Sequence, residues 1–119
     1  MKLDDAFRSI VEDLDEEICL ADTDHVIRYM NRESIKRYAH RGGESLIGKS
    51  LFGCHNDNSR KLIQKYTDMM TEDKNLHEIN MGYNSKHDET NYMIAVRDSD
   101  GRLIGYYEKH VKGRVEDND

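Results

Sequence analysis

The sequence lacks the long apolar run of a membrane-spanning helix, and it shows no secretory signal pattern. Its two cysteines, Cys19 and Cys54, could pair, but no other feature points to an oxidising compartment. Proline and tryptophan are both absent, and neither absence bears on function. We therefore expect a cytoplasmic protein with free thiols that does not bind a membrane.

An excess of positive charge is missing as well. The 18 basic and 24 acidic residues give a formal net charge of -6, so binding to nucleic acid would need a concentrated basic face. The best candidate is the stretch 28–41, but Glu33 and the spacing of its basic residues indicate the solvated side of a helix. We therefore expect no nucleic acid as a partner.

Motifs of catalysis are also missing. The sequence has no nucleophile elbow, no glycine-rich phosphate loop and no metal-binding helix. Asp22 and Asp24 form one close pair of carboxylates, and Asp98 and Asp100 form another. Both pairs fall in predicted hairpin turns, where Asp favours the turn geometry itself. We therefore do not expect an enzyme.

Clear apolar periodicity is present and predicts a single α+β domain within the 119 residues. The predicted order is a helix at 3–15, strands at 17–22 and 25–30, a short helix at 32–38, helical turns at 44–53, a helix at 59–71, and strands at 75–83, 90–98 and 102–111. Strands that are joined by hairpins are antiparallel. The pattern therefore predicts a five-stranded antiparallel sheet with its helices over one face.

Three motifs in this order resemble the PAS domain family. Asp22 and Asn31 end the first two strands, as in the family pattern D-x-x-G-x-I-x-x-x-N, although His25 replaces its glycine. The run 45–49 (SLIGK) resembles the ELIGK turn, and 96–105 resembles the closing hairpin V-x-D-x-x-G-x-x-x-G. The stretch Cys54-His55-x-x-x-Ser59 is similar to one PAS subgroup. The resemblance divides the chain into an N-terminal helix (1–15), a PAS-like domain (16–112) and an acidic tail (113–119).

The resemblance implies a curved sheet with helices over its concave face. In the family, the space between them binds a small ligand in many members and is filled by side chains in others. Members typically pass signals to kinases, cyclase-type enzymes or transcription regulators. The residues that we expect to line such a pocket are Tyr29, Tyr38, Ile47, Cys54, His55, Ile63, Tyr66, His77, Ile79, Met81 and Ile94.

The resemblance also implies a homodimer, because family members often dimerise through a helix just before the first strand. The predicted helix 3–15 occupies that position. Its apolar stripe is the expected interface and consists of Leu3, Phe7, Ile10, Val11 and Leu14. No effector domain is attached, so we expect the chain to be an excised piece or to act on a separate signalling protein.

Two places could supply a ligand for haem or another metal. The thiol of Cys54 or the imidazole of His55 could reach the pocket, but the plainer interpretation is a small buried cysteine and a histidine bonded to a loop carbonyl. His77 alternates in phase with Ile79 and Met81, so it faces the pocket or lies at the sheet edge. The remaining histidines are interpreted as surface residues: His25, His40, His87 and His110.

The residues that bind cofactors in other PAS domains can be compared with this sequence by position. The run Ser50–Gly53 does not match the N-C-R-F-L run of flavin photosensors, so flavin is not expected. Haem sensors usually carry their proximal histidine within the long helix, and residues 60–71 contain none. A haem would therefore need His55 or His77 as an unusual ligand. Three functions stay open: a small-ligand sensor acting as a dimer, a ligand-free interaction module, and a haem or metal sensor.

Overall fold

The computed structural model describes residues 1–116, so the last three residues of the predicted acidic tail lie outside it. Within this range there are three α-helices, three short 3-10 turns and five strands. In chain order they are α1 (Leu3–Asp13), β1 (Cys19–Asp22), β2 (Ile27–Met30), α2 (Arg32–Arg37), the turns Ala39–Arg41, Gly43–Leu46 and Leu51–Cys54, α3 (Asp57–Glu72), β3 (Glu78–Asn84), β4 (Glu89–Arg97) and β5 (Leu103–Lys112). No helix of residues 1–116 is long and apolar enough to cross a membrane.

The sheet has the order β2-β1-β5-β4-β3, and every neighbouring pair is antiparallel. Ala21 of β1 and Ala95 of β4 both lie opposite Tyr106 of β5, and all three belong to one buried cluster. Gly105 allows β1 to approach, since a Cβ atom there would lie 2.5 Å from the Ala21 carbonyl oxygen. The predicted α+β fold is confirmed.

Helix α3 covers the concave face of the sheet. Ile63 and Met70 are buried against the strand residues of the same cluster, and Thr67 is buried between them. The helix begins earlier than predicted, because the side chain of Asn56 accepts a hydrogen bond from the Ser59 amide and caps it. Its apolar residues Leu62 and Met69, in contrast, are 47% and 41% exposed.

The turn between β1 and β2 shows how the chain accommodates His25 where the PAS pattern has glycine. His25 adopts a positive φ of 64°, the left-handed region that favours glycine. Its ring is buried, stacks on Phe52, and makes hydrogen bonds with Tyr106 Oη (2.7 Å) and Gln64 Oε1 (2.8 Å). These contacts offset the backbone strain. The interpretation of His25 as a surface residue is therefore wrong.

Helix α1 is tied to the sheet at its C-terminal end. The fully buried amide of Asn31 donates to the carbonyl oxygens of Val11 (3.0 Å) and Glu16 (2.9 Å), and its Oδ1 accepts from the Ile18 and Ser34 amides. No residue of α1 (Leu3–Asp13) is fully buried, so this single amide is a main link between α1 and the domain.

Candidate functional site

A cavity of about 730 Å³ lies between the sheet and the helices. All five strands contribute to one wall, and α2, α3 and the 3-10 turns contribute the other. Its walls differ in character. Apolar side chains such as Leu46, Leu51 and Ile63 line one part, whereas Glu17, Arg37, Glu108 and His110 line another. We call the second part the polar end.

Six of the predicted pocket residues line this cavity: Tyr38, Cys54, His55, Ile63, Tyr66 and Met81. Burial raises the pKa of Tyr38, so its hydroxyl is protonated at neutral pH. Helix α2 and the turns bring Tyr38, Cys54 and His55 to the cavity, and α3 and β3 supply the others. That these residues bind a ligand stays a prediction.

The other five predicted residues do not line the cavity. Strand alternation places Tyr29 and Ile94 on the opposite face, because their neighbours Met30 and Met93 point into the buried clusters. Ile79 packs against the buried core cluster and does not reach the cavity. Two remain: Ile47 and His77 are exposed, the first at the end of a 3-10 turn and the second just before β3.

The predicted pair Cys54-His55 makes few contacts that suit a metal. His55 Nδ1 donates to the Leu51 carbonyl oxygen at 2.8 Å, as the plainer interpretation predicts. Cys54 is exposed rather than buried, and both cysteines are free thiols. Burial raises the pKa of the other thiol, Cys19, to about 11. With His77 outside the cavity, His55 is the haem-ligand candidate that remains of the two.

Arg37 organises the carboxylates at the polar end. Its Nη1 donates to Glu17 Oε1 (3.0 Å) and Glu89 Oε2 (3.0 Å), and its Nη2 donates to Glu89 Oε1 (2.8 Å). These bonds hold the pKa of Glu89 below its ordinary value. Burial instead raises the pKa of Glu17 and of Glu108. Three carboxylates therefore lie near one guanidinium, and sequence analysis singled out none of the four residues as a site.

His110 completes the polar end. Its Nδ1 lies 2.6 Å from Asn91 Oδ1, which can only accept, so the ring proton is on Nδ1 and Nε2 carries a lone pair. The side chain is 5% exposed, and Nε2 has no hydrogen-bond partner among the described residues. Glu17 Oε1 and Glu108 Oε2 lie 3.6 and 3.7 Å from it. Burial, with Arg37 nearby, lowers the pKa of His110 to about 4, so the ring is neutral at pH 7. Its interpretation as a surface residue is wrong.

The family model for the PAS fold matches residues 11–109, which include β1 to β4, most of β5 and the cavity wall up to Glu108. The chain belongs to the PAS fold family. The more specific subgroup with the C-H-x-x-x-S stretch stays a prediction. No protein of curated function matches the chain.

Solved structures agree with this PAS fold. A C-terminal domain from Streptococcus mutans has 21% identity and a TM-score of 0.67, covering 95% of this chain and 85% of that one. The PAS domain of a Colwellia psychrerythraea protein has 12% identity and a TM-score of 0.65, covering 93% and 97%. The Aer2 receptor from Vibrio cholerae, described as a dual PAS-heme oxygen sensor, has 18% identity and a TM-score of 0.58, covering 81% and 92%. At these identities the likeness shows the fold alone.

One signal in the PAS domain sequence could have revealed the polar end. Tyr106, Glu108 and His110 alternate at the period of a strand, so they share one face. Tyr106 is buried on the concave side, which places the other two there as well. No comparable local signal points to Glu17, because it lies in the connection between α1 and β1.

Proposed function

We propose that this PAS domain is a sensory module that binds a small polar ligand in its cavity and signals through α1 in a homodimer. The observation that carries the proposal is the buried lone pair of His110 Nε2, unpartnered among the described residues at the polar end. A buried polar atom without a partner costs about 1–3 kcal/mol. A bound ligand that donates to this atom would remove that cost, so the cavity favours a polar ligand over an apolar one.

The polar end adjoins the connection that carries α1. Glu17 lines the cavity and lies four residues after Asp13, the last residue of α1. Asn31 bonds the Val11 and Glu16 carbonyl oxygens on the same connection. A ligand that engages Glu17 would therefore favour one position of residues 14–18, and with it one position of α1. Differential affinity for two such positions is all that a sensor requires.

The exposed stripe of α1 supports a second copy of the chain as its partner. Leu3, Phe7 and Ile10 are about 60% exposed, at a spacing that places them on one face, whereas Val11 and Leu14 are partly covered by their own domain. We therefore propose Leu3, Phe7 and Ile10 as the centre of the dimer interface.

Two experiments test the proposal. Native mass spectrometry of gently purified protein, followed by a thermal-shift screen of small polar molecules, tests the ligand. We expect a retained molecule, or a compound that raises Tm in the wild type but not in Glu108→Gln. If neither experiment finds a ligand, the ligand-free interaction module becomes the better interpretation.

Sedimentation velocity tests the dimer. Phe7→Asp places a charge in the exposed stripe, and Ser9→Asp places the same charge on another exposed position of α1. We expect a dimer in the wild type and in Ser9→Asp, and a monomer in Phe7→Asp. A wild-type monomer, or a dimer that survives Phe7→Asp, would contradict the proposed interface.

A further inference from the structure

The polar end of the cavity places the buried lone pair of His110 close to the carboxylates of Glu17, Glu89 and Glu108, and Arg37 donates hydrogen bonds to the first two. His110 Nε2 carries a lone pair, and the nearest carboxylate oxygens of Glu17 and Glu108 lie 3.6 and 3.7 Å away. These separations are too long for hydrogen bonds. The separation of Glu17 Oε1 from His110 Nε2 is close to the distance of about 3.4 Å that separates two ligands of a tetrahedral ion with bonds of about 2.1 Å, and Glu89 offers an oxygen within 4.8 Å of both ligand atoms.

We propose that His110, Glu17 and Glu89 form a binding site for a divalent transition-metal ion of the zinc type. Imidazole nitrogen and carboxylate oxygen are both ligands of Zn²⁺, and three protein ligands leave a fourth position open to the cavity. The lone pair of His110 Nε2 is buried, has no partner among residues 1–116 and lies near the carboxylates of Glu17 and Glu108. An acidic cluster alone would lack this feature.

The groups around this site have the arrangement of a second coordination shell. Asn91 Oδ1 accepts the His110 Nδ1 proton at 2.6 Å, which fixes the tautomer that leaves Nε2 free for a metal. Arg37 holds Glu17 at 3.0 Å and Glu89 through both carboxylate oxygens. These bonds orient the two ligand carboxylates, and Glu108 Oε2 lies 3.7 Å from His110 Nε2 as a further negative charge beside the site.

The formal charges also suit a divalent cation. Glu17, Glu89 and Glu108 carry three negative charges when ionised, and Arg37 supplies one positive charge. A divalent ion neutralises the remaining two. Because the site lies in the same cavity, the inference names the ligand class of the proposed sensor and rests on that proposal for its signalling consequence.

Isothermal titration of the chelator-treated full chain with Zn²⁺, and with Co²⁺ as a spectroscopic probe, tests the site. We expect one equivalent to bind the wild type, with a Co²⁺ absorption spectrum typical of nitrogen and oxygen ligands rather than thiolate. The affinity should fall about 10-fold or more in Glu17→Gln and in His110→Gln. His77→Gln is the matched control, because His77 is exposed and outside the cavity, and it should bind like the wild type.

Circular dichroism identifies any variant that does not fold, and Glu17→Gln decides the test if His110→Gln fails to fold. The inference is overturned if the wild type binds no metal, if Glu17→Gln binds as tightly as the wild type, or if the Co²⁺ spectrum shows thiolate ligation. A small organic cation retained in place of a metal would overturn this inference and leave the proposed sensor intact. Absence of both metal and organic ligand would refute the two together.

Discussion

Asn31→Asp tests whether one buried amide holds α1 to the sheet. The change keeps an oxygen at Oδ1, so the bonds from the Ile18 and Ser34 amides survive, including the cap of α2. It removes the two donor bonds to the carbonyl oxygens of Val11 and Glu16. In their place a carboxylate oxygen faces two carbonyl oxygens in a position that is fully buried.

The size of the effect follows from the number of bonds lost. Two hydrogen bonds contribute about 1 kcal/mol each, and an unpaired buried acceptor adds a cost of about 1–3 kcal/mol. We therefore expect Asn31→Asp to lower the free energy of unfolding by about 3–5 kcal/mol at pH 7. Asn31→Ala also loses the cap of α2 and should be destabilised by a similar or larger amount.

The pH dependence separates electrostatic repulsion from lost packing. Burial beside two carbonyl oxygens raises the pKa of the introduced carboxyl above its unfolded value of about 3.9. The folded variant then binds more protons than its unfolded chain between these two pKa values, so its stability rises as the pH falls through the folded pKa. The protonated carboxyl can also donate to one carbonyl. The free energy of unfolding that Asn31→Asp loses relative to the wild type should therefore be smaller at pH 5 than at pH 7.

Urea denaturation followed by far-ultraviolet circular dichroism measures these quantities at pH 7 and pH 5. Hydrogen exchange of the α1 amides shows where the variant opens, and we expect faster exchange in α1 than in β4. A loss of unfolding free energy below about 1 kcal/mol at pH 7, or a loss that is the same at both pH values, would refute the role assigned to the Asn31 amide.

Three further changes test other parts of the structure. Arg37→Met should lower the free energy of unfolding by about 2 kcal/mol at pH 7, less than for fully buried pairs. Because Arg37 lowers the pKa of Glu89, this stabilisation is present above pH 4.5 and fades as the pH falls further, as urea denaturation at pH 7 and 3.5 will show. Gly105→Ala puts a methyl group against a β1 carbonyl oxygen and should cost about 1–3 kcal/mol, measured as a lower urea midpoint. At pH 8, iodoacetamide should modify exposed Cys54 before Cys19, as peptide mass spectrometry will show.

Controls within the chain sharpen these tests. Gly53→Ala matches Gly105→Ala, because no atom lies within 4 Å of the added Cβ, and it should leave the urea midpoint nearly unchanged. Equal midpoints for the two glycine variants would contradict the close approach of β1 and β5. Arg37→Met as stable as the wild type, or Cys19 alkylated as fast as Cys54, would contradict the burial assigned to those groups.

Local patterns were enough to predict the secondary structure. Apolar spacing identified α1 and α3, and turn residues such as Asp22 and Gly101 marked the hairpins, because these signals depend on neighbours a few residues away. The cap of α2 by Asn31 is equally local, because the side chain bonds an amide three residues later. The second role of Asn31, as a donor to Val11 and Glu16, depends on how α1 packs and has no local signal.

Pocket residues were predictable only where a local pattern shows the direction of the side chain. Strand alternation predicts faces within one strand, but Tyr29 and Ile94 were assigned to the wrong face because the pattern does not say which face is concave. His25 and His110 were assigned to the surface, since histidine near a turn or strand end is usually exposed. His110 is buried because the pairing of β5 with β4 carries it to the inner side of the sheet, whereas the positive-φ turn at His25 directs that ring onto Phe52 and Tyr106.

By itself, the sequence determined the order of helices and strands, the antiparallel sheet and the cap at Asn31, because each follows from spacings of a few residues. Tertiary structure alone decided the polar end. Glu17, Arg37, Glu89 and His110 are far apart in the chain and meet because β5 lies between β1 and β4 while α2 packs beside them. Charges brought together from such distances have no periodic signature, so a site made of them becomes visible only once the sheet is assembled.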